Sequence, residues 1–214
     1  MLISETLYLY SIDEESKKIE MKNFPILLAG AILFDLELEG IITIQPFESV
    51  IIGPLVHLEV VKKTGNLIFD EAINSILSRK RDFPVPYWLT KFRNKKFRKL
   101  IVDNLIQNKY VQQIGKKYEI IKSIIKDEIN NNIIDCIMKN HEPDNKLKLF
   151  LMLSLLRTVN WKLLPDIINY KDKTIKERIE EYQEMMVKDK IGFYVAMQVP
   201  KTTYRVGGSI TYRF

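Results

Sequence analysis

The chain has 214 residues, 46% hydrophobic and 28% charged, a composition that fits one folded domain and excludes general disorder. Its single cysteine excludes an internal disulfide, and its first residues lack the basic start and apolar run of a signal peptide. The most apolar segment, residues 147–156, is interrupted by charge and is too short for a membrane span, which needs roughly 20 apolar residues. We therefore expect a cytoplasmic protein.

The net charge of +6 is concentrated in one part of the chain. Residues 79–99 contain nine basic side chains and a single acid, Asp82. The nine are Arg79, Lys80, Arg81, Lys91, Arg93, Lys95, Lys96, Arg98 and Lys99. A basic patch of this kind indicates a polyanionic partner, either phospholipid head groups or nucleic acid. A solvated helix face is the simpler interpretation, and the sequence leaves it open.

The first half of the chain predicts helices separated by short strands. Residues 26–39 are apolar on almost every side, which predicts a buried central helix that ends at Gly40. Branched residues at 41–44 and 56–61 predict two strands. Residues 70–77 predict a helix whose acidic first turn suits the helix dipole.

The second half predicts a linker, a hairpin and more helices. The Pro-Val-Pro sequence at 84–86 predicts an extended linker, after which the basic stretch enters a helix. Gly115 predicts the turn of a β-hairpin over residues 110–121. Isoleucines at four-residue steps over 121–137 predict a long amphipathic helix, and residues 147–156 a further buried one.

The expected fold class is therefore mainly α. It is a single-domain helical bundle with buried central helices, surrounding amphipathic helices, a few short strands and a β-hairpin.

Catalytic motifs are missing from the sequence. His57 and His141 lack the spacing of metal ligands, and neither a glycine-rich phosphate loop nor a nucleophile elbow occurs. Trp88 follows the proline-rich segment and is interpreted as a packing residue. We expect that the protein is not an enzyme and that it has no catalytic residue, cofactor or metal.

Several short segments follow one another in a recognisable order. They lie at residues 5–9 (ETLYL), 28–33 (LAGAIL), 64–73 (TGNLIFDEAI), 98–111 and 142–144 (EPD). In this order, and across residues 4–201, the chain resembles the Golgi phosphoprotein 3 family. We expect residues 1–201 to form the family domain and residues 202–214 to form a tail outside the resemblance.

The resemblance implies a cytoplasmic, peripheral membrane protein, on the cytosolic face of the Golgi if the source is eukaryotic. Family members bind phosphatidylinositol 4-phosphate and retain glycosyltransferases by recognising their cytosolic tails. The implied partners are an anionic phospholipid surface, cytosolic tails of membrane proteins and a second copy of the chain, bound through the hairpin.

The resemblance also implies a head-group pocket. The family pocket uses a tryptophan, an arginine before the central-helix glycine, and two arginines on the helix before the hairpin. Lys95 and Arg98 occupy the last two positions and share a helix face, with Arg93 beside them. Ala29 replaces the first arginine, and Glu20 lies near the tryptophan position. We therefore expect binding that follows total lipid charge and discriminates little among phosphoinositides.

A preference for the 4-phosphate isomer would mean that Lys17, Lys18 or Lys22 completes the pocket.

The family hairpin also contacts the membrane or mediates self-association. The expected membrane-facing residues of the hairpin are Ile114, Lys116, Lys117 and Tyr118. Their lysine-rich tip favours surface attraction over insertion.

A winged-helix-like nucleic-acid-binding protein is the alternative, because a basic helix followed by a hairpin also fits that motif. It ranks second because the basic residues precede the amphipathic helix and do not lie along a separate recognition helix. A hydrolase or transferase without a known motif ranks third.

Overall fold

The structure is a computed structural model, and it describes residues 1–19, 23–45, 53–121, 126–129, 131–132 and 177. The helices are α1 (Ile3–Ser11), α2 (Phe24–Leu38), α3 (Leu67–Leu77), α4 (Val85–Phe92) and α5 (Lys95–Gln107). The strands are β1 (Ile42–Gln45), β2 (Leu55–Leu58), β3 (Phe83–Pro84), β4 (Val111–Ile114) and β5 (Lys117–Ile120). Residues 126–129 and 131–132 are also helical. The mainly helical class is thus confirmed in this part of the chain.

Helix α2 forms the centre of the core, as predicted. It is buried along nearly its whole length and packs against α1 and α4. A helix that is apolar all round is stable only when protein surrounds it, since each buried Leu, Ile or Phe contributes about 1.5–3 kcal/mol. The helix ends as expected at Gly40, whose φ of +65° is a conformation that glycine adopts without strain.

A buried carboxylate fastens α1 to α2. Asp35 accepts hydrogen bonds from the backbone N–H groups of Ile3 (2.6 Å) and Ser4 (2.9 Å) and from the Ser4 hydroxyl (2.6 Å). These donors lie at the start of α1, where N–H groups lack partners within the helix. Burial raises the pKa of Asp35 to about 6, and the hydrogen bonds oppose that rise. The contact fixes the position of α1 on the core.

The two predicted strands are present as β1 and β2, although β2 ends at Leu58 rather than at residue 61. The strand β3, which was not predicted, joins them in one small antiparallel sheet in the order β1-β2-β3. Ile42 lies opposite Leu58, and Val56 lies opposite Phe83. Helix α3 begins three residues before the predicted range 70–77, because the Asn66 side chain caps it by accepting from the N–H groups of residues 68 and 69.

The predicted extended linker at residues 84–86 is wrong beyond its first residue. Pro84 has the extended conformation and ends β3, but α4 begins immediately at Val85. Pro86 occupies the second position of α4, where a missing N–H costs no helix hydrogen bond. The interpretation of Trp88 as a packing residue is confirmed, since only 1% of it is exposed.

The hairpin β4–β5 is confirmed, with Gly115 in its turn at a φ of +63°. It docks on a turn of residues 13–18, which we call the N-terminal turn. There the Tyr118 N–H donates to the Lys17 carbonyl oxygen at 2.9 Å, and the Lys17 ammonium group pairs with the Glu119 carboxylate. The hairpin is thereby joined to a segment about 100 residues away in the sequence.

Several expectations fall outside the described residues. They concern Glu20, Lys22, most of the helix predicted at 121–137, His141, the buried helix at 147–156, the domain boundary at 201 and the tail. In the parts of the chain that the structure describes, no helix combines the length and apolar character needed to cross a bilayer.

Candidate anion-binding pocket

A pocket of about 300 Å³ opens where four elements meet. These elements are the N-terminal turn with the residue after it, the first turn of α2, the first turn of α5, and the hairpin. Among the residues that the structure describes, the cavity is lined by Lys18, Ile19, Phe24, Pro25, Arg98, Lys116 and Tyr118. We call this cavity the anion pocket.

Three lining residues are cations, and none of the described lining residues is acidic. Lys18, Arg98 and Lys116 are all exposed to solvent. Like charges that face one cavity repel each other, and a bound anion removes that repulsion. The Arg98 guanidinium adds a planar set of donors that matches the oxygens of a phosphate group. The arrangement is suited to a phosphorylated or otherwise anionic ligand.

The start of α2 adds to the positive potential of the anion pocket. Its N-cap residue, Asn23, has a left-handed conformation with a φ of 59° and makes no capping hydrogen bond through its side chain. Phe24 and Pro25, the first two residues of the helix, line the cavity. A helix N-terminus carries partial positive charge, which favours an anion nearby.

A buried tyrosine lies behind the pocket wall. Tyr8 is fully buried, and its ring meets the rings of Phe24 and Tyr118 edge to face, at 5.5 and 6.0 Å between centroids. Burial raises the pKa of its hydroxyl above the usual range, while the nearby Arg98 lowers it. The hydroxyl is therefore neutral at physiological pH. It forms no hydrogen bond of normal geometry.

Contacts around the anion pocket hold the N-terminal turn against the hairpin. Lys17, which has a left-handed φ of 57°, points its ammonium group to Glu119, and Gln112 donates to the same carboxylate. The hydrogen bond from Lys17, followed by the one from Gln112 and the charge of Lys17, lowers the pKa of Glu119. This ion pair joins the two segments that carry Lys18 and Lys116.

The structure unites residues that the sequence assigned to two sites. Arg98, from the predicted phosphate site, lines the same cavity as Lys116 and Tyr118, from the predicted membrane-facing hairpin. Lys18, expected only as a conditional member, completes the set of cations. No local motif could identify Lys18, because the other two cations of the pocket are about 80 and 100 residues away in the sequence.

The remaining predicted site residues lie elsewhere. Lys95 is exposed in the first turn of α5 and does not line the cavity, and Arg93 is half-buried at the end of α4. Ile114 and Lys117 are exposed on the hairpin beside its turn, with 51% of Ile114 accessible. Ala29 is completely buried in the core.

The basic residues of the stretch 79–99 lie in different environments in the structure. Part of it forms what we call the basic–aromatic cluster, in which cations lie over the rings of Phe83 and Tyr87. Arg79 lies 5.5 Å and Lys91 5.6 Å from the Tyr87 centroid, and Arg81 lies 5.5 Å from that of Phe83.

Two further charged residues of the stretch have side-chain partners outside it. The Lys96 ammonium lies 2.6 Å from the Glu71 carboxylate on α3, and Asp82, the single acid, lies 3.0 Å from His57 Nδ1. Of the nine basic residues, only Arg98 lines the anion pocket.

Comparison with known protein families gives a match over most of the chain. A family model described as Golgi phosphoprotein 3 (GPP34) matches residues 3–190. Because this match spans most of the chain, the protein belongs to the Golgi phosphoprotein 3 family, as its sequence resemblance indicated. None of the curated proteins matches the chain.

Proposed function

We propose that this protein is a non-enzymatic, adaptor-like peripheral membrane protein that binds anionic phospholipid head groups in the anion pocket. The observation that supports it most is the convergence of Lys18, Arg98 and Lys116 from three distant segments on one cavity. A solvated helix face would require no such convergence. Membership of the family is consistent with this function.

The three charges of the pocket contribute a measurable part of the proposed affinity for a membrane surface. Each Lys or Arg near an anionic membrane surface contributes about 1 kcal/mol, so three contribute about 3 kcal/mol, or roughly a hundredfold in affinity. Exposed charges are screened at physiological salt over about 8 Å. Binding should therefore weaken steeply as salt increases.

The proposed ligand specificity follows from which cations are present. Ala29 cannot supply the arginine that the family places before the central-helix glycine, whereas Lys18 and Lys116 add charges of lower directionality. Ammonium groups act as point charges and do not fit one arrangement of phosphates. We propose that affinity follows total head-group charge, with little preference for the 4-phosphate isomer over equally charged isomers.

The hairpin is proposed to approach the membrane alongside the pocket. Lys116 lines the cavity while the neighbouring Ile114 and Lys117 remain exposed. Contacts with cytosolic tails of membrane proteins, self-association through the hairpin and a location on a cytosolic membrane face remain part of the proposal.

The test compares matched charge reversals on one helix. Arg98→Glu and Lys99→Glu change net charge equally, but Arg98 lines the cavity and Lys99 does not. In sedimentation with phosphatidylcholine vesicles containing phosphatidylinositol 4-phosphate, Arg98→Glu should reduce binding at least about tenfold more than Lys99→Glu. Circular dichroism checks the fold of both.

Lys95→Glu forms the third arm, because the sequence placed Lys95 in the same phosphate site. We expect it to behave like Lys99→Glu. Equal losses for Arg98→Glu and Lys99→Glu would contradict pocket binding and indicate a general effect of charge.

The same protein is tested on duplex DNA, since nucleic acid is the alternative partner. The hairpin is fastened to the N-terminal turn through Lys17, Tyr118 and Glu119, so it is not a free wing beside α5. We expect vesicle binding to exceed DNA binding at physiological salt. The reverse order would favour the nucleic-acid alternative.

A further inference from the structure

The hydroxyl of Tyr8 is a buried polar group directly behind the anion pocket that makes no hydrogen bond of normal geometry. The residue is 0% exposed, so no solvent contact compensates the missing hydrogen bond. A buried donor and acceptor without partners destabilises the folded protein. The position of this hydroxyl beside the anion pocket indicates a role in ligand binding.

The surroundings of Tyr8 prevent the hydroxyl from turning away. Phe24 and Tyr118 contact its ring from two directions, and Asp35 anchors α1, which carries it. The Arg98 guanidinium and the Tyr118 hydroxyl are its polar neighbours, although neither forms a hydrogen bond of normal geometry with it. The group is therefore held beside Arg98, which lines the pocket.

We propose that Tyr8 is a positioning residue for Arg98, and that its hydroxyl oxygen accepts a hydrogen bond from the guanidinium when an anionic group occupies the pocket. This inference rests on the proposed function. A guanidinium has five N–H donors in one plane, and a phosphate group engages two of them. An acceptor behind the pocket satisfies a donor that faces inward and fixes the plane in which the outer donors meet the phosphate.

A tyrosine suits this role better than a carboxylate. An acid behind Arg98 would neutralise the charge that attracts the ligand, whereas a neutral phenol accepts a hydrogen bond and leaves that charge intact. The hydroxyl can also donate its own proton to the oxygen of Tyr118. The proposed role of Tyr8 is to fix the plane of the guanidinium donors. An ammonium group has no such plane, so the role applies to an arginine at position 98 and not to a lysine.

The experiment removes the hydroxyl and keeps the ring. Tyr8→Phe, Arg98→Lys and the double variant are compared on phosphatidylcholine vesicles containing phosphatidylinositol 4-phosphate, with Tyr87→Phe as a control hydroxyl outside the pocket. We expect Tyr8→Phe to weaken binding about fivefold without lowering the melting temperature, because the hydroxyl is unsatisfied in the free protein. Tyr87→Phe should leave vesicle affinity unchanged.

The double variant tests the connection to Arg98. Once lysine replaces the arginine, removal of the Tyr8 hydroxyl should have no further effect on affinity. Losses that multiply in the double variant would overturn the proposal, since the hydroxyl would then act without Arg98. A melting temperature that falls along with the affinity would also overturn it, in favour of a purely structural role.

One outcome separates this inference from the proposed function. If Tyr8→Phe binds vesicles like the unmodified protein while Arg98→Glu loses binding, ligand binding in the pocket is supported and the positioning role of Tyr8 is refuted. If Arg98→Glu binds normally, the pocket itself is refuted and the positioning role with it.

Discussion

Two basic regions of this protein contain three cations each, yet they differ in what those cations can do. In the anion pocket, Lys18, Arg98 and Lys116 face an open cavity without an acidic neighbour among the described lining residues. In the basic–aromatic cluster, the cations Arg79, Arg81 and Lys91 lie over the rings of Phe83 and Tyr87.

The difference shows that positive charge close in sequence does not have to converge in space. A cation over an exposed aromatic ring gains about 0.5–1 kcal/mol, and an anion that draws it away must offset that gain. The pocket cations line one cavity, where they repel one another until an anion binds. We therefore expect the pocket to dominate ligand binding and the cluster to stabilise the fold.

The largest expected effect comes from reversing each set of charges. One variant changes Lys18, Arg98 and Lys116 to Glu, and the other changes Arg79, Arg81 and Lys91 to Glu, so both alter net charge equally. Loss of about 1 kcal/mol per cation, together with the repulsion introduced, should reduce vesicle affinity more than about a hundredfold in the pocket variant. Vesicle sedimentation measures it.

The cluster variant is the matched control for that comparison. We expect a smaller loss of binding that high salt removes, together with a lower melting temperature because the ring contacts are lost. Equal loss of vesicle binding in the two variants would contradict the proposal that the pocket, and not the cluster, dominates ligand binding.

Tyr87→Leu tests whether the basic–aromatic cluster stabilises the fold without contributing to vesicle binding. It removes the ring that contacts Phe83 at 4.3 Å and Trp88 at 5.0 Å and that lies beneath Arg79 and Lys91. Aromatic pairs and exposed cation–π contacts suggest a loss of about 1.5 kcal/mol in the free energy of unfolding. Urea denaturation measures this loss, and vesicle affinity should stay within about twofold of the original.

Glu119→Gln tests how firmly the pocket is assembled. It removes the charge partner of Lys17 and so loosens the contact that keeps Lys18 and Lys116 on one cavity. We expect a decrease in vesicle affinity of about threefold, because partly exposed ion pairs contribute little. The loss should appear although the variant removes a negative charge, which by itself would favour anionic vesicles. Tighter binding would show that total charge outweighs pocket geometry.

Much of the local structure could be predicted from the sequence. The apolar pattern of α2, the end of that helix at Gly40 and the hairpin turn at Gly115 depend on neighbours within a few residues. The start of α4 was missed because Pro-Val-Pro reads as extended, whereas a proline in the first helical turn costs nothing.

The site was predictable only in part, for a physical reason. Arg98 and Lys116 could be named as candidates from the sequence, but their common cavity depends on the docking of the hairpin against the N-terminal turn, a contact between residues far apart in the chain. The basic run at 79–99 predicted more charge available to a ligand than the structure offers. Arg79, Arg81 and Lys91 lie over aromatic rings, and the positions of those rings depend on how β3 and α4 fold.

The smallest expected effect is a pH dependence of stability at the edge of the basic–aromatic cluster. His57 Nδ1 lies 3.0 Å from the Asp82 carboxylate, and this contact raises the pKa of His57 above its usual 6.5, with a lesser contribution from Glu59. Protonated His57 is therefore favoured in the folded state. The stabilisation is complete below about pH 6.5 and is lost as pH rises through the raised pKa.

Other groups change stability in the same direction, so the His57 effect must be isolated by difference. Burial raises the pKa of Glu37 to about 7, which also favours the protonated folded state over part of this range. We compare the free energy of unfolding of the original protein and His57→Gln at pH 6 and pH 9. The original protein should lose slightly more stability over this interval than the variant, because solvent screens a half-exposed ion pair. Asp82→Asn should reduce the pH dependence as His57→Gln does. Identical pH dependences in all three proteins would show that the pair is not formed in solution, and that Asp82 is available to the cations of the cluster.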